Sequence, residues 1–437
     1  LAQVPLELRV VKERRGRGAS RNPQKEQERP EPPRTVELTI ERIVPGGAGM
    51  GHAEGLTVFV PDTAPGDRVR AQLDRIRGNS GFGTLLDVLE ASPDRIAPPD
   101  PERDRCGGQD FRHLRYEAQL AAKADIIADC LRRIAGLTWD EPIAVVPSPR
   151  EWHYRARAEW AYDRETGALG YRERGSHRVC DVESDPTLRP ELEAALRDLR
   201  ERLRAGKIAP AAEFRGVAGD NGVDVVPTDR HVRAKELVVD ILGHRYRFDA
   251  YCFFQANLDI LPALIAEVRQ GAENAPALPH HVGRGEYVSR RVAVELYCGV
   301  GLFTLALAAS FDRYHGVEAH QRAATFAKRN AAEAGLEQVR IAAVPAHIWL
   351  SERGRAVGPV SLAVVDPPRG GMDRETLTGL IRLHPARLTY VSCDPATLSR
   401  DLKLLHAHGY VLERITGFDM FPQTHHVEIV AHLRREE

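Results

Sequence analysis

Cysteine is scarce in this chain: six thiols, at positions 106, 130, 180, 252, 298 and 393, are spread over 437 residues. Such spacing shows no dense paired framework, and the length is wrong for a small secreted domain stapled by disulfides. A reducing cytoplasm is therefore the expected compartment. Aromatic residues make up only 6% and there are three methionines, yet 43% hydrophobic residues suffice for a core of normal size. Net charge is also missing, at −1, which excludes a globally basic nucleic-acid binder and leaves charge to be read locally. No apolar signal core opens the chain. The most apolar stretch, Val292 to Phe311, is broken by Glu295, Gly299 and Gly301, so it reads as strand, turn and helix rather than a membrane span. No internal repeat is visible.

The length allows about three domains at roughly 150 residues each. Residues 1–34 are rich in Arg, Lys, Glu, Pro and Gln and read as a disordered tail. Between Arg9 and Arg34 nine basic side chains face four acidic ones, so the tail either solubilises or touches phosphates weakly. Residues 35–92 carry short alternating stretches, Val36–Ile40, Thr57–Val60 and Arg68–Leu73, separated by Gly-rich turns. These predict a small antiparallel β-barrel of the kind that often binds oligonucleotides. A Pro-rich break at 93–101 opens a central α+β segment, 93–250, with helices expected at His113–Leu137 and Pro190–Arg204. In residues 251–437 candidate strands at Val292–Leu296, His315–Glu318, Val339–Ala343, Leu362–Asp366, Leu388–Ser392 and Glu428–Leu433 alternate with helical stretches. That alternation predicts a Rossmann-like, mostly parallel, doubly wound sheet.

The string Val292–Leu305 is a strand, a glycine turn (Gly299, Gly301) and a helix, the frame that brings a nucleotide cofactor against a helix start. Glu318 ends the next strand, where a carboxylate can accept from both ribose hydroxyls. Thr304 stands where a dinucleotide fingerprint wants a third glycine, which argues against NAD and for S-adenosylmethionine. Asp366-Pro367-Pro368-Arg369 follows the fourth strand and places a carboxylate at the carboxyl edge. As an isolated motif, Asp-Pro-Pro also occurs in enzymes that methylate exocyclic amines.

Cys393 lies just past Leu388–Ser392, and Glu428 starts the last strand. Carbon 5 of uracil is too poor a nucleophile to take a methyl group directly. Thiolate addition at carbon 6 would make carbon 5 electron-rich, and a base must afterwards remove the carbon-5 proton. A cysteine, a carboxylate and a methyl donor are the parts required. His425 and His426 are alternative bases, while Cys252 and Cys298 read as packing residues.

Together, Phe253-Phe254-Gln255-Ala256-Asn257, the Leu296–Leu305 turn, Asp366-Pro367-Pro368-Arg369, the Ser392–Asp401 string and the Asp419–Glu428 string resemble the S-adenosylmethionine-dependent RNA uracil-5 methyltransferase family, from about residue 36 to the end. The resemblance implies Cys393 as nucleophile and Glu428 as proton acceptor. It implies Gln255, Tyr297, Gly299, Gly301, Leu302, Glu318 and Asp366 as cofactor contacts, Leu302 through its backbone alone. Phe253 and Phe254 are expected to stack on an extruded base, with Arg369 as a further substrate contact. The barrel is similar to the TRAM domain that some members carry. His153–Arg157 and Ser176–Arg178 resemble central-domain motifs that could touch phosphates.

Many members hold an iron–sulfur cluster through a Cys-x5-Cys-x2-Cys run and a later fourth cysteine. Here Asp100, Cys106 and Gln109 occupy the run, and Asp185 takes the fourth place, with Cys180 five positions early. One or two thiolates cannot hold a cubane in the usual way, so no cluster is expected. Glu295 stands where the family usually has Asp. The expected activity is 5-methyluridine formation in a structured RNA, ribosomal in preference to transfer, with no membrane and no obligate protein partner. Two alternatives stay open: methylation of an exocyclic amine through Asp366-Pro367-Pro368, and a non-catalytic RNA-binding assembly factor.

Overall fold

A computed structural model describes residues 34–98, 106–174, 176–283 and 285–436. The tail and Asp100 lie outside the described residues. Strands β1 (Arg34–Ile43), β2 (Gly49–Ala53), β3 (Leu56–Val60), β4 (Arg68–Arg77) and β5 (Ser80–Glu90) close into a barrel in the order β1-β2-β3-β5-β4. The alternation predicts β1, β3 and β4; β2 and β5 are glycine-rich and lack it. Most pairs are antiparallel, but β3 and β5 run parallel. The inward residues Val36, Leu38, Ile40, Val58, Val60, Val69 and Ala71 fill the barrel.

Helix α1 (Tyr116–Cys130) continues as a π turn over Leu131–Ala135 and stops at Gly136 in the left-handed region. Ile43 and Ala64 of the barrel pack with Phe111, Leu114, Ala122 and Ile126. Arg42 pairs with Asp129 of α1 at 2.7 Å, and Arg174 with Asp62 at 2.6 Å. The barrel is thus docked on the rest of the chain.

After β6 (Val145–Val146), a central sheet forms from β7 (Arg157–Tyr162), β8 (Leu169–Arg172), β9 (Val179–Asp181), β10 (Glu213–Gly219) and β11 (Gly222–Pro227), with α2 (Pro190–Arg204) packed on it as its spacing predicts. A hairpin, β12 (Leu237–Ile241) and β13 (His244–Phe248), leads to α3 (Leu261–Glu273) and a second hairpin, β14 (Leu278–Gly283) and β15 (Glu286–Arg290).

The last part alternates β16 (Val292–Leu296), α4 (Leu302–Leu307), β17 (Arg313–Val317), α5 (Gln321–Glu333), β18 (Val339–Ala342), α6 (Ala346–Glu352), β19 (Leu362–Val365), α7 (Arg374–Leu383), β20 (Arg387–Ser392) and α8 (Pro395–His406). The antiparallel pair β21 (Tyr410–Phe418) and β22 (Glu428–Arg435) follows. One eight-stranded sheet results, in the order β18-β17-β16-β19-β20-β22-β21-β6. Its first five strands are parallel and buried on both faces, which is why β16 and β19 are uninterrupted runs of buried residues. The edge strand β6 precedes residue 251 and pairs with β21, so the chain ahead of that point contributes to the sheet. Among the described residues no helix is long and apolar enough to cross a membrane.

One covalent feature departs from the reading of scattered, unpaired thiols. Cys106 and Cys180 form a disulfide across 74 residues, with Cα atoms 5.8 Å apart. Spacing could not show it, because tertiary pairing makes it. Cys106 bridges to Glu173, and the β8–β9 register sets Tyr171 opposite Cys180. Gln109 donates to Asp185 Oδ1 at 2.9 Å, and the Tyr171 hydroxyl donates to Oδ2 at 2.6 Å. The cluster positions among the described residues are therefore bonded to other side chains, and this donor set does not fit a cluster. Thiol titration of denatured protein without reductant is expected to find four thiols, Cys130, Cys252, Cys298 and Cys393, rising to six after reduction. Six before reduction would remove the disulfide.

Candidate active site at the carboxyl edge of the sheet

The parallel strands end at one edge, and the chemistry-bearing residues sit there. Beyond β16, Tyr297 (φ 64°), Gly299 (φ 54°) and Gly301 (φ 95°) all lie in the left-handed region. Glycine adopts it freely; Tyr297 does so at a cost of about 1–3 kcal/mol, as residues at ligand sites often do. A Cβ on Gly299 would meet nothing within 4 Å, so the space beside the turn is open. The Gly299 N–H donates to Glu318 Oε2 at 2.9 Å, and the His320 N–H donates to Oε1 at 2.7 Å. Glu318 is fixed by backbone donors while its remaining lone pairs stay available. Leu302 is buried, and its carbonyl accepts from the Tyr246 hydroxyl at 3.1 Å.

Beneath the turn, Glu295 accepts from Thr304 Oγ1 at 2.5 Å and from the Tyr314 hydroxyl at 2.8 Å. Burial pushes its carboxyl up to about 8, so at neutral pH it is mostly protonated. Asp366, half-buried just past β19, is pushed up to about 7 by burial and then by the charge of Glu318.

The register of β20 against β22 joins the other pair. Ser392 lies opposite Ile429 in the last pair of that ladder, so Cys393 and Glu428 are the next residues on the two chains, and Glu428 is near enough to act on the Cys393 thiol. Asp394 caps α8 through the Ala396 and Thr397 N–H groups and fixes the turn that presents Cys393. Burial pushes the Cys393 thiol up to about 12; Glu428 and Asp366 add to this and Arg369 opposes it. Glu428 is buried, and burial with Asp366 nearby holds its carboxyl well above the usual carboxylate range. Arg369 is exposed, and its Nη2 lies 3.5 Å from His426 Nε2. His426 is pushed down to about 3, by burial first and then by His425 and Arg369, and so makes a poor base near neutrality. His425 is engaged elsewhere, through Nδ1 to Asp110 Oδ2 at 2.5 Å.

The aromatic pair divides. Phe253 is 62% exposed, with the Arg157 guanidinium 5.9 Å from its ring centroid. Phe254, expected on a base, is 3% exposed and stacks on Phe248 at 4.5 Å. The correction follows from consecutive residues pointing to opposite sides of an extended strip: one ring enters the core and only Phe253 remains free. Gln255 is buried on this strip, which hydrogen-bonds along Arg155–Arg157. Tyr154 is buried, and its hydroxyl donates to the Pro422 carbonyl at 3.0 Å.

Sequence reading misses the residues that hold the loop before Glu428. Tyr116, Gln119 and Lys123 lie three and four apart on one face of α1, a polar stripe visible only once helical spacing is applied to polar residues. Tyr116 donates to Asp419 Oδ2 at 2.7 Å, and Lys123 pairs with the other oxygen. Lys123 also donates to the Phe421 carbonyl at 3.1 Å. Gln119 exchanges two hydrogen bonds with Gln423, which sits in the left-handed region. Burial pushes the Lys123 ammonium down and Asp419 pulls it back up. Lys123→Met leaves a buried carboxylate without its cation and is expected to cost about 3–5 kcal/mol, read as a lowered denaturant midpoint. Lys123→Met with Asp419→Asn should recover part of that loss. An unchanged midpoint in the single variant would show that the pair is not buried.

A doubly wound sheet with a glycine turn, acidic strand ends and a thiol–carboxylate pair at its carboxyl edge, preceded by a β-barrel, is the architecture of a Rossmann-like RNA methyltransferase. The chain matches the tRNA (Uracil-5-)-methyltransferase family over residues 229–352 and 359–436, and the TRAM domain over 31–86. RlmD of Shewanella amazonensis, a 23S rRNA (uracil(1939)-C(5))-methyltransferase, is 34% identical, with 91% of this chain and 95% of the relative covered. An uncharacterised RNA methyltransferase of Thermosynechococcus vestitus is 31% identical, covering 91% and 97%. The solved Pyrococcus abyssi tRNA (uracil-54, C5)-methyltransferase, in complex with S-adenosyl-L-homocysteine, shares the fold. Its TM-score is 0.65 at 23% identity, over 91% of this chain and all of that one. The chain belongs to the RNA uracil-5 methyltransferase family.

Proposed function

We propose that this protein methylates carbon 5 of one uridine class in 23S ribosomal RNA, in the cytoplasm, through a covalent Cys393 adduct. The observation that carries the reading is that the β20–β22 register ends at Ser392 and Ile429, which leaves Cys393 beside Glu428 at the edge where Asp366 and Glu318 also lie. The ribosomal substrate rests on the similarity to RlmD along nearly the whole chain.

Glu318, Asp366, Gln255, Tyr297 and the backbone of the 299–302 turn would hold S-adenosylmethionine. The fit rests on open space beside Gly299 and on a carboxylate-rich edge that favours a cation. Bound there, S-adenosylmethionine supplies an electrophilic methyl carbon on a positively charged sulfur. The remaining steps belong to the chain. Phe253 offers an exposed ring for the extruded base, and Arg369 a cation for its phosphate or carbonyl oxygen. Cys393 loses its proton to solvent, the thiolate bonds to carbon 6, and the electron pair of the 5,6 double bond moves to make carbon 5 nucleophilic. After methylation Glu428 takes the carbon-5 proton, the double bond re-forms and the thiolate leaves. Glu428 suits this role better than His426, whose burial disfavours protonation.

The test uses a 23S rRNA fragment with 5-fluorouridine at the target. Fluorine cannot leave as a cation, so elimination stops and a stable protein–RNA adduct is expected on denaturing gels. An RNA methylated normally in its uridine form that gives no adduct when fluorinated would rule out the covalent route.

A further inference from the structure

The far edge of the catalytic sheet carries a second concentration of chemistry. The segments entering β19 and β20, at Val360 and Ala386, floor a cavity of about 1440 Å³. Three elements line it with cations: Arg355 after α6, Arg374 and Arg382 on α7, and Arg435 at the end of β22. Helix α7 is built for this. Leu377, Leu380 and Ile381 anchor it in the core, while Arg374, Thr378 and Arg382, at i, i+4 and i+8, share the outer face. The same three residues line an adjoining cavity of about 410 Å³ that runs on to His408, so one groove crosses the helix.

The four guanidinium groups are exposed, and among the described residues none of them is in an ion pair. Glu375 is the one carboxylate in the lining. Their neighbours differ: Arg387 and Arg434 are both tied to Glu413, at 2.7 and 2.8 Å. In a chain of net charge −1, this groove keeps its positive charge unanswered.

We propose that the groove is a second RNA-binding site, which grips backbone phosphates of a segment flanking the target on the side of the catalytic sheet away from Cys393. Guanidinium groups bind phosphate oxygens in pairs of hydrogen bonds. Four of them spread over three elements suit a chain of phosphates better than one small anion. Strands of four to six residues, at roughly 3.3 Å each, separate the two edges by about 13–20 Å. The two edges face opposite ways, so a short hairpin standing out from the reaction site points away from the groove, whereas a folded RNA can wrap round to it. The proposal rests on the reading of RNA as substrate.

The experiment compares wild type with Arg374→Glu/Arg382→Glu, and with Arg355→Gln/Arg435→Gln as a milder variant on the other walls. The RNAs are a full-length 23S rRNA transcript and a hairpin of about 20 nucleotides carrying the target uridine. For the transcript, KM is expected to rise about tenfold in the charge-reversed variant, with kcat unchanged. The slope of log Kd against log salt should fall by about two, one for each phosphate no longer held. Hairpin KM should stay at the wild-type value. Unchanged transcript KM and salt slope would overturn the proposal, as would equal losses on both RNAs. Failure of wild type to methylate either RNA would instead count against the functional reading, while the binding slopes remain measurable by fluorescence anisotropy.

Discussion

Cys393→Ala protein is expected to methylate its RNA at least about ten-thousand-fold more slowly than wild type, while folding normally. The size follows from the chemistry: without a bond to carbon 6, carbon 5 never becomes electron-rich, and the loss of a nucleophile removes the covalent route whole. Normal folding follows from the surroundings. The side chain is only partly buried, beside a helix start capped by Asp394, and a truncated thiol leaves room that solvent can enter. Tritium transfer from labelled S-adenosylmethionine measures the first quantity and thermal denaturation the second. The 5-fluorouridine adduct should vanish in the same variant. Retained transfer would move the reading to an exocyclic amine beside Asp366-Pro367-Pro368, which needs no thiol.

Glu428→Gln should fail later in the cycle and look different. Addition and methylation can proceed, but the carbon-5 proton stays, so the methylated RNA remains bound to Cys393. Turnover is expected to drop by a factor of about 100 to 10,000, the range of general-base catalysis. A denaturation-resistant protein–RNA complex should accumulate with ordinary uridine, a substrate that gives little adduct with wild type. Loss of activity without that complex would place Glu428 before the covalent step. The pH dependence has a definite sign. In the proposed cycle both groups act deprotonated, and burial raises both above their ordinary values, Cys393 to about 12. kcat/KM is therefore expected to climb as pH rises above 7, where more of each is in its working form.

Much of this site is legible in the sequence because each part is contiguous. The glycine turn, Glu318, Asp366, Cys393 and Glu428 each sit at the end of a short strand with a strong apolar pattern. A doubly wound sheet brings such ends to one edge whatever the loops do. What escapes is made by distant partners. The Cys106–Cys180 bond needs an isolated bridge and a hairpin register, and the Lys123–Asp419 pair joins residues 296 apart. Strand β21 hides because Arg414 and Glu413 interrupt its pattern, and these pair sideways with Glu267 and Arg387. Phe254 is misread from sequence because two adjacent phenylalanines look alike until an extended backbone sends them apart.

The barrel reaches further into this machinery than a recognition module on a tether would. Gly47, at φ 84° between β1 and β2, lies so close to Asp110 and His425 that a Cβ there would collide with the carboxylate. Asp110 holds His425, three residues before Glu428, and follows the cystine-bound Cys106 by four. A graft that exchanged the amino-terminal module for a relative's is therefore expected to alter turnover as well as RNA choice, because the loop that leads to Glu428 rests against that module's own turn.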